Sequence, residues 1–128
     1  MKNLILSVLF LVVSASSAFA GLDESLVAAT AGDVNAQIAV GEMYYDGRYT
    51  EKNQPEAFNW FLRAAEQGNT YAMNFVGYMY ESGKGVAMDS QKAMSWYRKS
   101  IAKGDFTTQS SLNDMIIAAM QKNLAPRF

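Results

Sequence analysis

The chain repeats itself at one fixed offset. Gly32, Gly68 and Gly104 stand 36 residues apart, and the same offset relates Ala36 to Ala72, Gly41 to Gly77, Tyr44 to Tyr80, Gly47 to Gly83, Ala57 to Ala93 and Trp60 to Trp96. A period in this range belongs to solenoid arrays, because one such unit cannot bury its apolar face alone and must stack on a copy of itself. The fold is therefore expected to be a row of similar elements, not a single closed core.

Each unit reads as two helices. The first, over 35–46 and again 71–82, ends at a glycine, the usual helix stop. The second, over 54–67 and 90–103, starts after a capping residue. Asn53 with Glu56 three places on forms a capping-box pattern with Pro55 tolerated in the first turn, and Asp89 takes the cap position in the second unit. Gly41 and Gly77 fall mid-helix, where glycine costs about 1 kcal/mol against alanine, so each is expected to admit a close neighbour. Tyr44, Tyr80, Trp60 and Trp96 are expected to fill the space between helices.

The ends depart from the unit. Leu22–Ala31 aligns with the latter part of a second helix, Ala28 and Ala29 preceding Gly32 as Ala64 and Ala65 precede Gly68. It reads as a half-repeat cap. A helix over 107–122 keeps its place but loses the motif, with Asn113 where glycine stood and Ile116 where tyrosine stood. It is expected to close the core and present polar residues outward. Pro126 stops the chain. The fold class is thus all-α: a short solenoid of two helix–turn–helix repeats, 33–68 and 69–104, with an N-terminal half-repeat and a C-terminal capping helix.

The first twenty residues carry a different pattern: Lys2, an apolar run from Leu4 to Val13, then Ala18-Phe19-Ala20 before Gly21. A positive start, a short apolar stretch and small residues at A-x-A are the order of a cleavable secretory signal. The run is short for a membrane span of roughly 20 residues. Residues 1–20 are therefore read as a signal peptide, 21–128 as one domain, and the location as periplasmic or secreted. The absence of cysteine excludes a lipid-modified N-terminus, a disulfide framework and thiolate metal sites.

Composition also limits function. Half the residues are apolar, as expected of a folded chain, and the formal charge of −1 becomes −2 without Lys2, which does not suit a nucleic-acid binder. Histidine is absent along with cysteine, removing the usual general base, the usual zinc ligands and the Ser–His and Cys–His nucleophile pairs. Glu42 and Asp46 lie one helical turn apart but no second acidic cluster supports a paired acid/base site or a calcium loop. Gly83-Lys84-Gly85 lacks the strand-to-helix setting of a phosphate loop and reads as a turn. Neither an enzyme nor a cofactor is expected.

The strings Ala64-Ala65-Glu66-Gln67-Gly68-Asn69, Gly77-Tyr78-Met79-Tyr80 with Gly83-Lys84-Gly85-Val86, and Asp89 with Lys92-Ala93 and Trp96-Tyr97 resemble the Sel1-like repeat, a relative of the tetratricopeptide repeat with a longer internal loop. The first unit departs from the pattern in its loop, where Tyr49 and Thr50 replace Gly-Val. The resemblance implies a right-handed stack of helix pairs that binds proteins or peptides. Its short periplasmic members include immunity proteins that neutralise phospholipase toxins of type VI secretion, which implies a toxic effector as partner. The alternative is a structural adaptor in an envelope assembly.

A partner is expected on the face of the first helices that is not used for packing. With Gly41 and Tyr44 turned inward, that face carries Ile38, Glu42, Tyr45 and Asp46, then Asn74, Tyr78, Glu81 and Ser82, then Ser110, Asp114 and Ile117. It is acidic and tyrosine-bearing, suited to a basic or hydrogen-bond-donating ligand. A lysine row, Lys92, Lys99 and Lys103, reads as support for a helix C-terminus more than as a membrane contact. Two units are few for a solenoid, so a homodimer through an end face is a further expectation.

Overall fold

A computed structural model describes residues 20–124; the expected signal segment and Pro126 lie outside them. Among the described residues there are six helices and no strand: α1, helical over 20–30, α2 (Val34–Asp46), α3 (Gln54–Glu66), α4 (Thr70–Ser82), α5 (Ser90–Ala102) and α6 (Gln109–Leu124). Each of α2 to α6 packs on its neighbour in the chain, and the pairs α2–α3 and α4–α5 are the closest. That is the one-dimensional stack the 36-residue period demands.

The helices begin where short polar side chains can take up orphan amide groups. Asp33, Asn53, Asn69 and Asp89 each accept from the backbone N–H three residues on, at 2.7, 3.1, 2.9 and 3.0 Å. Asp33 and Asn69 move the starts of α2 and α4 one residue earlier than the apolar pattern suggested. The capping box at Asn53 is completed differently. Its own N–H donates to the Tyr44 carbonyl at 2.8 Å, as that of Asp89 donates to Tyr80 at 2.9 Å. Cap and preceding helix are thereby tied together.

The core explains the mid-helix glycines. A Cβ on Gly41 would stand 3.0 Å from the Phe61 ring of α3, and one on Gly77 would stand 2.5 Å from the Tyr97 ring of α5. Phe61 and Tyr97, themselves 36 residues apart, are the largest fully buried side chains. The space between paired helices is therefore filled by the residue after each tryptophan. Trp60 is buried against Ala29 and Val40, joining α1 to the stack, while Tyr44, Tyr80 and Trp96 are only half-buried.

The internal loops show how closely the units match. Gly85 has φ of 73°, and Tyr49, its counterpart in the first unit, has φ of 61°. The loop without Gly-Val thus keeps the same path, with tyrosine held in a left-handed conformation that costs about 1 kcal/mol or more.

α6 corrects the expectation of a closed end. It starts at Gln109, not 107, because the Asp105 carboxylate accepts from the Thr107 N–H at 3.0 Å and hydroxyl at 2.7 Å. These bonds fold a local turn and hold that carboxyl below its usual range. Of its sixteen residues only Leu112 is buried. Ile117, Met120 and Leu124 are 52, 60 and 82% exposed, so the helix presents apolar as well as polar residues outward. Its second half stands off from the start of α5, leaving a cleft of about 400 Å³ lined in part by Met94, Met115 and Ala119.

Candidate functional site

Beyond the core, α2 and α4 share a continuous aromatic surface. Phe75 lies at its centre, stacked on Phe61 at 4.1 Å between centroids. Around it stand Tyr45, edge-on at 5.0 Å, Tyr78 at 6.0 Å and Tyr71 at 6.1 Å. Tyr71, Phe75 and Tyr78 fall three or four apart on α4, so one helix face carries all three rings. Tyr71 and Tyr78 remain 48 and 37% exposed.

Lys84, from the loop after α4, reaches back onto this surface. Its ammonium donates to the Tyr78 hydroxyl at 2.5 Å and to the Tyr45 hydroxyl at 3.2 Å, and lies 5.0 and 5.8 Å from the two ring centroids. The ammonium lowers the pKa of Tyr78, and the hydrogen bonds to Tyr78 and Tyr45 raise that of Lys84; burial raises Tyr45. The segment read in the sequence as a turn thus supplies a cation.

Of the acids predicted for this face, Glu42, Asp46 and Glu81 are already engaged. Glu42 accepts from the Tyr71 hydroxyl at 2.9 Å and lies 3.9 Å from Arg48, which also pairs with Asp46 at 3.3 Å. Glu81 accepts from the Tyr97 hydroxyl at 2.6 Å. Burial, reinforced by that carboxylate, pushes the Tyr97 pKa far above its ordinary value near 10. Ile38 is half-buried against the core. Asn74 donates to Asp105 and Thr107 at 3.0 and 2.8 Å, fastening α4 to the connection before α6. Ser82 bonds back to the Tyr78 carbonyl, while Ser110 and Asp114 lie exposed on α6.

Glu42, Tyr45, Asp46 and Tyr78 thus share one surface with Tyr71, Phe75, Arg48 and Lys84, which the sequence reading did not single out. The repeat offset held the missing clue. Arg48 and Lys84 are 36 apart, so both loops carry a cation that folds back over a first helix. The lysine row is engaged on the other helices: Lys99 lies 4.2 Å over Trp96, Lys92 lies 5.4 Å from the Tyr80 centroid, and Lys103 lies beside Gly68.

Among the described residues no group of three or more acidic, histidine or cysteine side chains is placed to hold a metal. No described helix is long and apolar enough to cross a membrane. The site offers exposed rings, hydroxyls and one ammonium, an arrangement for contact.

The Sel1 repeat family model matches residues 34–69 and 70–105, which are the two units offset by one residue from their glycine boundaries. Among solved structures, the chain is similar to a Sel1 repeat protein of Oxalobacter formigenes, with 38% identity over 70% of this chain and 68% of that one and a TM-score of 0.68. It is similar as well to a protective antigen of uropathogenic Escherichia coli described as having an SLR fold, with 38% identity and a TM-score of 0.70. That match covers 73% of this chain but 20% of the antigen. Cysteine-rich protein B of Helicobacter pylori, 21% identical over 66% of this chain and 63% of its own, shares the fold with a TM-score of 0.63. No curated protein matches.

Proposed function

Because the chain belongs to the Sel1 repeat family, whose members are in general protein-interaction modules without catalysis of their own, we propose that it is an exported module that holds a partner protein on the α2–α4 face. The observation that carries this reading is the exposure of Tyr71 and Tyr78 beside an already filled core. Rigid rings bring large contact area at low entropy cost, which is why tyrosine concentrates at interfaces. The acids contribute less to recognition in this reading, since Glu42, Asp46 and Glu81 have internal donors. A partner meets hydroxyls and the Lys84 ammonium.

The finer proposal is a periplasmic immunity protein whose partner is a toxic effector such as a phospholipase. Its support is the export-like first twenty residues and the fold together, which is an argument by analogy. In affinity capture from periplasmic extract, an effector encoded beside the gene is the expected catch, and envelope machinery in its place would favour the adaptor role. Tyr78→Ala is expected to weaken capture about tenfold, the ~1.4 kcal/mol of a modest hot spot, with the melting midpoint unchanged. Glu42→Lys acts in the same direction. Unchanged affinity in both moves the binding site off this face.

A further inference from the structure

The two ends of the array are complementary halves of one unit. α1 holds the place of a second helix: Leu22 and Ala29 stand 36 residues before Phe58 and Ala65, and all four are buried. α6 holds the place of a first helix, Leu112 and Ile116 standing 36 after Val76 and Tyr80. In both complete units the first helix is covered by its own second helix, Gly41 by Phe61 and Gly77 by Tyr97. Among the described residues α6 has no such cover. The uncovered side carries Asn113, at the glycine position, and the exposed Ile117 and Met120.

We propose that α1 of a second copy docks against α6 and completes the third helix pair, so that copies join head to tail. The register follows from the complete units. The antiparallel pairing that sets Gly41 against Phe61 sets Asn113 of one copy against Ser25 of the next, and Ile117 over Gly21. Side-chain sizes are exchanged to match. Where the inner pairs combine glycine on the first helix with an aromatic ring on the second, the end pair combines a medium amide with a small hydroxyl, two groups that can hydrogen-bond to each other. The small residues Gly21, Ser25 and Ala28 on α1 leave room for the isoleucine and methionine of α6.

Charge selects this partner over like-with-like contact at the α1 end. The described residues of α1 carry Asp23 and Glu24 and no cation, so two α1 helices repel. α6 carries one charge of each sign, Asp114 and Lys122, and adds no net repulsion against α1. A heterologous contact of this kind builds an open row or, where the rotation closes, a ring. One helix pair buries less than the ~1,200 Å² of a standard stable interface, so the association is concentration-dependent. Its consequence for function is geometric. The face running through Glu42, Tyr78 and Asp114 continues onto the next copy.

The absence of cysteine makes the test direct. Ser25→Cys and Asn113→Cys, each alone, are expected to stay single chains on a non-reducing gel, and their mixture to form a disulfide-linked pair, since a disulfide needs Cα atoms within roughly 7 Å. Sedimentation of the unaltered chain is expected to show mass rising with concentration. Ile117→Lys abolishes that rise without moving the melting midpoint. Self-linking of Asn113→Cys overturns the proposal in favour of α6 paired with α6. A mixture that does not link although both variants fold, or a chain that stays single at every concentration, overturns it in favour of another occupant, residues 1–19 or a foreign protein.

Discussion

The two complete units share a backbone and differ in what they put on it. At the positions that set the path the pair is alike but for Tyr49 against Gly85: caps Asn53 and Asp89, left-handed Gly47 and Gly83, glycine facing an aromatic ring in both helix pairs. On the outer surface of the first helices and in the loops after them the units diverge. Glu42 stands where the second unit has Tyr78, Tyr45 where it has Glu81, and Arg48 where it has Lys84. The difference teaches that a repeat holds its geometry with few residues and leaves the remainder free to vary. An array can therefore gain a binding surface without a change of fold.

The sharpest way to break the equivalence is at the paired glycines. Gly77→Ala drives a Cβ into the Tyr97 ring, which the Glu81 carboxylate anchors, and is expected to cost about 2–3 kcal/mol by overpacking. Gly41→Ala meets Phe61 at a looser 3.0 Å, and the roughly 1 kcal/mol of helix propensity gained by alanine offsets most of its strain. Urea unfolding of the two variants separates them; equal losses would show that the inner packing of the units is the same after all.

Next in size is the loop pair. Gly85→Ala is expected to lose about 2 kcal/mol, because φ is positive and the Cβ runs into the Gln54 carbonyl. Tyr49→Gly relieves a strained tyrosine but adds freedom to the unfolded chain, so the two effects nearly cancel and the midpoint moves by under ~1 kcal/mol.

The alkaline limb tests the units by chemistry. Tyr97 has a pKa raised on folding by burial and then by Glu81, so above its unfolded value near 10 the unfolded state releases the proton first. Its contribution is complete below pH 10 and is lost as pH rises beyond it. Tyr97→Phe is expected to flatten the fall in stability between pH 9.5 and 11, at a cost near neutrality of about 1 kcal/mol for the lost hydrogen bond. The first unit has Phe61 at this place, so that no proton is bound there, and only Tyr45, raised by burial, adds a slope of the same sign. Tyr71, also raised by burial, leaves a weaker slope of the same sign. The smallest contrast is at the caps: Asn53→Ala and Asp89→Ala are each expected to lose ~1 kcal/mol, and their difference to be a few tenths.

How far each part could be read in the sequence follows from the range of the interaction that produces it. Period, helix punctuation and the need for close approach at Gly41 and Gly77 are local or repeated, so one dimension suffices to find them. The end of the array was less legible. Asn113 and Ile116 announced a broken motif, but the late start of α6 depends on Asp105 turning to Thr107, a side-chain bond that apolar spacing does not encode. Helical periodicity was enough to bring Glu42, Tyr45, Asp46 and Tyr78 onto one surface. Lys84 escaped because a loop residue obeys no helical period, and only its 36-residue offset from Arg48 marks it.

The sequence by itself thus determined that this chain is a stack of helix pairs, for a repeated pattern of glycine, caps and aromatic residues has few other ways to bury its apolar faces. Only the tertiary structure decided that Phe61 and Tyr97, not the tryptophans, fill the spaces between paired helices, that Glu42, Asp46 and Glu81 are already engaged, and that among the described residues α6 is left uncovered. Those outcomes depend on which atoms meet across the turns of different helices. Spacing along the chain constrains that meeting without specifying it, because side chains several turns apart compete for the same partner and only packing settles which one takes it.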